Sequence, residues 1–299
     1  MGGFGDPPGV PIMKIGFWGV RGSIPAPGPA TVRYGGNTAC VSLRPDAAGK
    51  DGRLIILDCG TGARNLGIGL MEGAFGKGGG EASILLSHAH WDHIQGFPFF
   101  VPLYQPGNKF HIFGGAKSSA MLEGILEGQM APQYFPVQTL KNMGATIDIV
   151  AIAEGKTFEV ERCQVRARMN PHGRAGALAF RIEEGGRTVV YASDAGYAAG
   201  GPPADSIELY RGADVLIHDS TYTPEDKKRY ADRGYSSVED AVAAAIAAQV
   251  KRLVLFHYDQ DYADADVDAL CARGRRLLDE RGGRDIELIG AVEGSTLDV

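Results

Sequence analysis

An α/β fold, with helices layered outside β-sheet, is what this sequence predicts, and two patterns predict it. Short runs of β-branched and aliphatic residues recur along the chain, several of them continuous apolar segments (LIIL, ILL, VLI, LVLF) rather than alternating ones, which suits strands covered on both faces. Between them lie longer segments with apolar residues at helical spacing. The chain of 299 residues is 44% hydrophobic and 22% charged, enough to bury a substantial core.

In chain order, Met13 opens the strand-like MKIGFWGV, and residues 1–12 are set outside the fold as a flexible extension. Strands follow at 54–58 and 83–88, separated by a helix over 63–71 and the glycine segment 73–80, which spans one loop. A strand at 110–113 precedes a helix over 118–126. Further strands are read at 158–168, in ALAFRIE, and at 188–193 and 215–218. The clearest helix starts at Ser236, with Glu239 three residues on as a capping box, and runs through VEDAVAAAIAAQV. A strand at 253–257 leads to a helix over 264–281, where Val267, Leu270, Cys271, Leu277 and Leu278 recur at near-helical spacing, and to a last strand at 286–289. No linker long enough to separate domains interrupts 13–299, which is read as a single domain.

Composition sets limits. No run of 18 apolar residues exists, so no membrane-spanning helix is expected. MGGFGDPPGVPI has no basic n-region before an apolar stretch, and Asp6 stands where a myristoylation signal needs Ser or Thr. Lys and Arg number 30 against 36 Asp and Glu, a net charge of −6 that offers no general attraction to a polyanion, so nucleic acid is not expected as a partner. The four cysteines form no CxxC pair, and a reducing cytoplasm is the simplest reading.

The chemistry gathers after the strand SILLSH, where His88-Ala89-His90-Trp91-Asp92-His93 precedes a turn at Gly96. His88 and His90 project to one side of an extended segment, and a turn just beyond brings Asp92 and His93 to a second position nearby. One loop thus supplies ligands to two metals. Such ions take about four to five donors each, so the rest of the chain must complete the set. His257 ends RLVLFH, Asp194 ends TVVYASD and His172 sits in the turn MNPHG, all able to reach one sheet edge, whereas His111, within KFHIF, is read as structural.

SHAHWDH, a later His, an Asp after a strand and a final His after another strand together resemble the metallo-β-lactamase fold superfamily. GVRGSIPAPG, YGGNTAC, GFPFFVPLYQPGN and LFHYD look like its phosphodiesterase branch, close to ribonuclease Z and phosphoribosyl cyclic phosphodiesterases. The resemblance implies a four-layer αβ/βα sandwich, two facing sheets with helices outside and the metals at one end of the β layers. It implies that His88, His90 and His172 hold one divalent ion, that Asp92, His93 and His257 hold the other, and that Asp194 bridges both. Asp58, in LDCGTG, looks like the acid that anchors the ligand loop. Zinc is the favoured metal, with manganese or iron as alternatives.

On that resemblance the expected activity is hydrolysis of a small cyclic phosphate, a cyclic nucleotide or ribose cyclic phosphate. A hydroxide between two cations roughly 3.5–4 Å apart would attack phosphorus, with Asp92 orienting it. Related enzymes place a histidine of a GHS-type motif as proton donor, where this chain has Gly234-Tyr235-Ser236, making Tyr235 the candidate acid. His218 and Asp219, in VLIHDSTY, resemble a HEAT-type motif and are the other relay candidates. The order Pro171-His172 also differs from the branch, which more often has His before Pro, and a displaced His172 would leave one metal short of a ligand.

Arg21, Arg33, Asn37 and Thr38, with Ser23 beside them, are the candidate substrate contacts in the N-terminal glycine-rich loops. FPFFVPLY and QYFPV are read as a hydrophobic wall, lid or homodimer surface in preference to a nucleotide-stacking platform. The alternatives to a small-substrate phosphodiesterase are a tRNA endonuclease of the ribonuclease Z kind, a carboxyl-ester, lactone or thioester hydrolase, and a catalytically weak metal-binding sensor domain.

Overall fold

The computed structural model describes residues 13–45, 52–117, 119–136 and 139–299. The expected extension over 1–12, the expected helix start at Ser118 and the end of QYFPV at Val137 lie outside the described residues.

The strands are β1 (Lys14–Gly19), β2 (Cys40–Arg44), β3 (Ile55–Leu57), β4 (Glu81–Leu86), β5 (Lys109–Gly115), β6 (Thr146–Ile152), β7 (Thr157–Val160), β8 (Cys163–Asn170), β9 (Ala177–Glu184), β10 (Arg187–Ala192), β11 (Val215–Asp219), β12 (Arg252–Phe256), β13 (Glu287–Gly290) and β14 (Thr296–Asp298). The helices are α1 (Ala63–Leu70), α2 (Trp91–Ile94), α3 (Ser119–Gly128), α4 (Ala204–Tyr210), α5 (Pro224–Arg229), α6 (Val238–Ala248) and α7 (Asp264–Glu280). One sheet runs β14-β1-β2-β3-β4-β5-β6 and the other β13-β12-β11-β10-β9-β8-β7. Strands β3 to β6 are parallel to one another, as are β10 to β13, and the remaining pairings in each sheet are antiparallel.

Continuous apolar runs have the meaning expected of them. In β3, Ile55 and Leu57 enter the core shared with the opposite sheet while Ile56 enters a second core under α1 and α3. β4 divides in the same way, Leu85 into the first and Ile84 and Leu86 into the second. Helices α4, α6 and α7 cover the other sheet, with Ala241, Ala244 and Ala245 of α6 buried where the close approach requires small side chains. The layers are therefore helix, sheet, sheet, helix, as expected.

Three local expectations need correction. The stretch 158–168 is two strands, β7 and β8, joined by a tight turn in which Glu161 (φ 50°) and Arg162 (φ 64°) both adopt left-handed backbone. Helix α6 is capped one residue later than expected: Ser237 Oγ accepts from the Asp240 amide, and Asp240 returns the bond to the Ser237 amide. Strands β2, β6 and β14 join the first sheet without having been read from the sequence.

This topology places the chemistry. The carboxyl ends of β3, β4, β8, β10, β11 and β12 share one edge of the sandwich, and the chain segments leaving them carry Asp58, His88 to His93, His172, Asp194, Asp219 and His257 respectively. Ligand sites of layered α/β folds form in such crevices.

Candidate metal centre

Two donor groups form at this edge. His88, His90, His172 and Asp194 each offer a ligand atom within 4.8 Å of the others, and Asp92, His93 and His257 do the same beside them. Asp194 lies between: its Oδ2 is 3.2 Å from both His88 Nε2 and His172 Nε2 and 3.5 Å from His93 Nε2, while its Oδ1 is 3.1 Å from His257 Nε2. Asp92 Oδ2 stands 3.3 Å from His93 Nε2 and 3.2 Å from His257 Nε2. His172 Nε2 is 3.1 Å from His90 Nδ1, so the Pro171-His172 order does not displace this residue from the group.

Each inward nitrogen is selected by what holds the opposite side of its ring. Asp58 Oδ2 accepts from His93 Nδ1 at 2.7 Å, the Gly234 carbonyl accepts from His172 Nδ1 at 2.8 Å, and Thr221 Oγ1 lies 3.0 Å from His257 Nδ1. With the Nδ1 proton held toward these acceptors, Nε2 of His93, His172 and His257 presents a lone pair to the centre, the usual arrangement behind a ligating histidine. Asp58 also takes the Ser87 amide, the Ser87 hydroxyl and the Tyr191 hydroxyl at 2.7–2.8 Å, tying the end of β4 to both sheets.

The donors fit divalent cations on a direct observation. Asp194 Oδ1 and Oδ2 and His88 Nε2 are buried yet have no well-formed hydrogen bond among the described residues. An unsatisfied buried carboxylate is costly, and nitrogen and carboxylate donors converging in two sets suit zinc or a similar ion. The charges respond to this crowding. Burial opposes protonating His93, yet Asp92, Asp194 and Asp58 outweigh it and raise its pKa; His257 is raised against burial by Asp194 and Asp92. Burial and the neighbouring imidazoles lower His88 and His90. Burial would raise Asp92 and Asp194, but the surrounding histidines hold both far below the usual carboxylate range.

Backbone strain concentrates here too. Ser23 (φ 65°), Asp58 (φ 58°) and His257 (φ 63°) are non-glycine residues in the left-handed region, a conformation costing about 1–3 kcal/mol that persists where surrounding contacts enforce it. At Ser23 the bend delivers the backbone amide to Asp92 Oδ2 at 2.7 Å. Gly22 is required beside it, because a Cβ there would run into the His257 ring.

Tyr235 roofs the centre. Its ring lies 5.2 Å from that of His172 and 5.3 Å from that of His257, one from each donor group, and its hydroxyl is 3.3 Å from Ser23 Oγ. Burial and the Asp194 charge raise the phenol above its ordinary pKa, so it stays neutral and able to donate.

Other expected site residues are elsewhere. His218 does not face the donors: its Nδ1 bonds the Asp219 carbonyl at 2.7 Å and its Nε2 the Tyr197 hydroxyl at 2.9 Å. Asp219 is a fastening group rather than a relay, its carboxylate taking the amides of Ala195, Thr221 and Ser236 and the Thr221 hydroxyl that orients His257. The four expected substrate contacts are likewise engaged in fastening loops. Arg21 is fully buried and donates to the carbonyls of Gly35, Asp259 and Tyr262. Arg33 pairs on the surface with Asp268 of α7, Asn37 binds Glu293, and buried Thr38 exchanges hydrogen bonds with Thr61. A polar residue in a glycine-rich loop was read as free, whereas the loop's own carbonyls and carboxylate neighbours consume it. Thr221, which orients His257, gave no signal in the sequence, and Ser23, named beside the substrate candidates, instead holds Asp92 through its amide. His111 sits half-exposed on β5 between Glu81 and Asp148, apart from the cluster.

His218 carries a prediction of its own. Burial pushes it down to about 4, against roughly 6.5 when unfolded, so the fold favours the neutral ring. Stability is complete above the unfolded pKa and falls as pH drops from 6.5 toward 4, where the unfolded state binds the extra proton. Urea titrations at pH 7 and 4.5 should show the native chain losing about 2–3 kcal/mol more than His218→Gln; equal losses would mean that the ring is not held neutral.

Residues 53–258 match a family model described as the beta-lactamase superfamily domain. Ribonuclease Z of Haloferax volcanii is 24% identical over 89% of this chain and 90% of its own length. The metallo-beta-lactamase fold protein YhfI from Bacillus subtilis superposes with a TM-score of 0.69 at 18% identity, covering 97% of this chain and 100% of that one. Zn²⁺-bound PqqB from Methylobacterium extorquens gives 0.68 at 17%, covering 96% and 100%. Among the described residues no helix is long and apolar enough to cross a membrane. The ribonuclease Z relationship runs against the expectation that nucleic acid is excluded, which rested on net charge, a quantity blind to local structure. On the match across most of its length, this chain belongs to the beta-lactamase superfamily, and within it resembles ribonuclease Z.

Proposed function

We propose that this metal-dependent phosphodiesterase hydrolyses a small cyclic phosphate, a cyclic nucleotide or ribose cyclic phosphate, with two zinc ions held by His88, His90 and His172 on one side and Asp92, His93 and His257 on the other. The observation that carries it is Asp194, buried between the two groups with neither oxygen in a well-formed hydrogen bond among the described residues. Two divalent cations in such a site supply Lewis acidity toward the non-bridging oxygens and lower the pKa of the attacking water. The chain's own residues do the rest. Asp58, Thr221 and the Gly234 carbonyl fix the ring tautomers, and the Ser23 amide fixes the Asp92 oxygen. Tyr235, whose ring faces both groups, hands its phenolic proton to the leaving alkoxide in this reading.

A second reading, cleavage of a tRNA precursor, is favoured by the ribonuclease Z name of the relatives. Turnover of 2′,3′- and 3′,5′-cyclic nucleotides, set against a precursor tRNA with a 3′ trailer, separates the two. Cyclic nucleotide cleavage with no trailer removal is the expected result. Trailer removal without cyclic nucleotide turnover would replace the first reading by the second, and lactone cleavage with neither would remove both.

A further inference from the structure

Beside the ligand loop runs an apolar groove of about 490 Å³, bounded by Trp91, Phe99, Tyr134 and Phe135. FPFFVPLY divides there: Phe97 and Phe100 are buried in the core wall, as expected of that segment, but Phe99 is 54% exposed. Trp91 and Tyr134, each 78% exposed, offer their rings to solvent, and Phe99 and Phe135 meet edge to face at 5.2 Å. Large aromatic surface left open beside a catalytic centre marks a recognition site more often than chance exposure. One polar group enters this apolar lining. The Gln129 side chain lines the groove with its Nε2 buried and without a hydrogen-bond partner among the described residues. A buried amide donor left unpaired is costly, and a ligand acceptor would relieve it.

We propose that this groove is the base subsite of the enzyme: a nucleobase lies against Trp91, with Gln129 Nε2 donating to a ring nitrogen or carbonyl of the base. The occupant is set by three requirements met together, a flat π-face for stacking, an acceptor at its edge for Gln129, and a short tether to the reacting phosphate. The tether follows from the chain. Ala89 and Trp91, which line the groove, alternate in the ligand loop with the donors His88, His90 and Asp92, so the groove adjoins the donor groups. This inference deepens the phosphodiesterase reading and rests on it.

The test compares the native chain with Trp91→Ala and Gln129→Leu, each checked for folding by circular dichroism. The first readout is saturation-transfer NMR with adenosine and, as a control, ribose. Transfer to the base protons in the native chain, lost in Trp91→Ala and weakened in Gln129→Leu, is expected. The second readout is the ratio of kcat/KM for 2′,3′-cyclic AMP to that for a base-free ribose cyclic phosphate, which should fall about tenfold in Trp91→Ala. Absence of transfer from adenosine, or a ratio unchanged in both variants, overturns the subsite. If no diester is cleaved at all, the phosphodiesterase reading fails, and adenosine binding alone then decides whether the groove takes a base.

Discussion

Asp194→Asn should lower diester turnover by on the order of 10³-fold or more, beyond the loss of a single transition-state donor, and reduce bound metal from two ions per chain to one or none. The substitution keeps the volume, neutralises the carboxylate and puts an NH2 donor where one ligating oxygen stood. Neither Asp194 oxygen has a well-formed hydrogen bond among the described residues, so beyond its ion pairs with the ligand histidines the consequence falls on the cations. Elemental analysis of the same preparations gives the stoichiometry. Thermal or chemical unfolding with added Zn²⁺ gives a readout independent of activity: a hundredfold weaker Kd removes about 2.7 kcal/mol of cation-linked stabilisation. Two ions per chain and native turnover in Asp194→Asn would remove Asp194 from the bridging role; at most one ion per native chain would sink the binuclear centre.

Much of this centre was legible because its ligands are clustered in sequence or mark strand ends. His88 to His93 stand out by residue type and spacing, Asp194 and His257 each end an apolar run whose carboxyl end must reach the sheet edge, and His172 sits in the turn after a strand. What stayed hidden depends on tertiary contact. Ser236 and Ser237 both have an acid three residues later, so the sequence offers two capping frames. The structure chooses Ser237 because Ser236 is used elsewhere, its amide bonded to Asp219 and its hydroxyl to the Ala195 carbonyl. The break between β7 and β8 falls on Glu161-Arg162, a pair without the glycine or asparagine that usually announces a left-handed turn. The misplacement of Arg21 has the same root: nothing local reveals that the carbonyls of Gly35, Asp259 and Tyr262 converge on it, since two of them come from the far end of the chain. Gln129 is the converse case, an ordinary amide in sequence that becomes informative only because its Nε2 is buried with no partner among the described residues.

Tyr235→Phe should lower kcat by about 10²-fold at unchanged metal content, the lower range of general-acid effects. The ring stays over His172 and His257, so stacking and the shape of the site are kept while the proton is lost. The variant also deletes the contact to Ser23 Oγ, and Ser23→Ala, which keeps the amide that holds Asp92, isolates that contribution. The pH profile identifies the donor. Burial and the Asp194 and Asp92 carboxylates raise the phenol above its ordinary value of about 10, so the acid remains protonated from pH 6 to 9 and contributes no alkaline limb to kcat there. In Tyr235→His the donor must be an imidazolium, and kcat should fall as pH rises through a pKa near 6.5. A phenylalanine variant within about twofold of native kcat would remove Tyr235 from proton transfer and leave the leaving group to be protonated by water. An alkaline limb in the native enzyme that persists in Tyr235→Phe would assign the proton to another group whose pKa lies in that range.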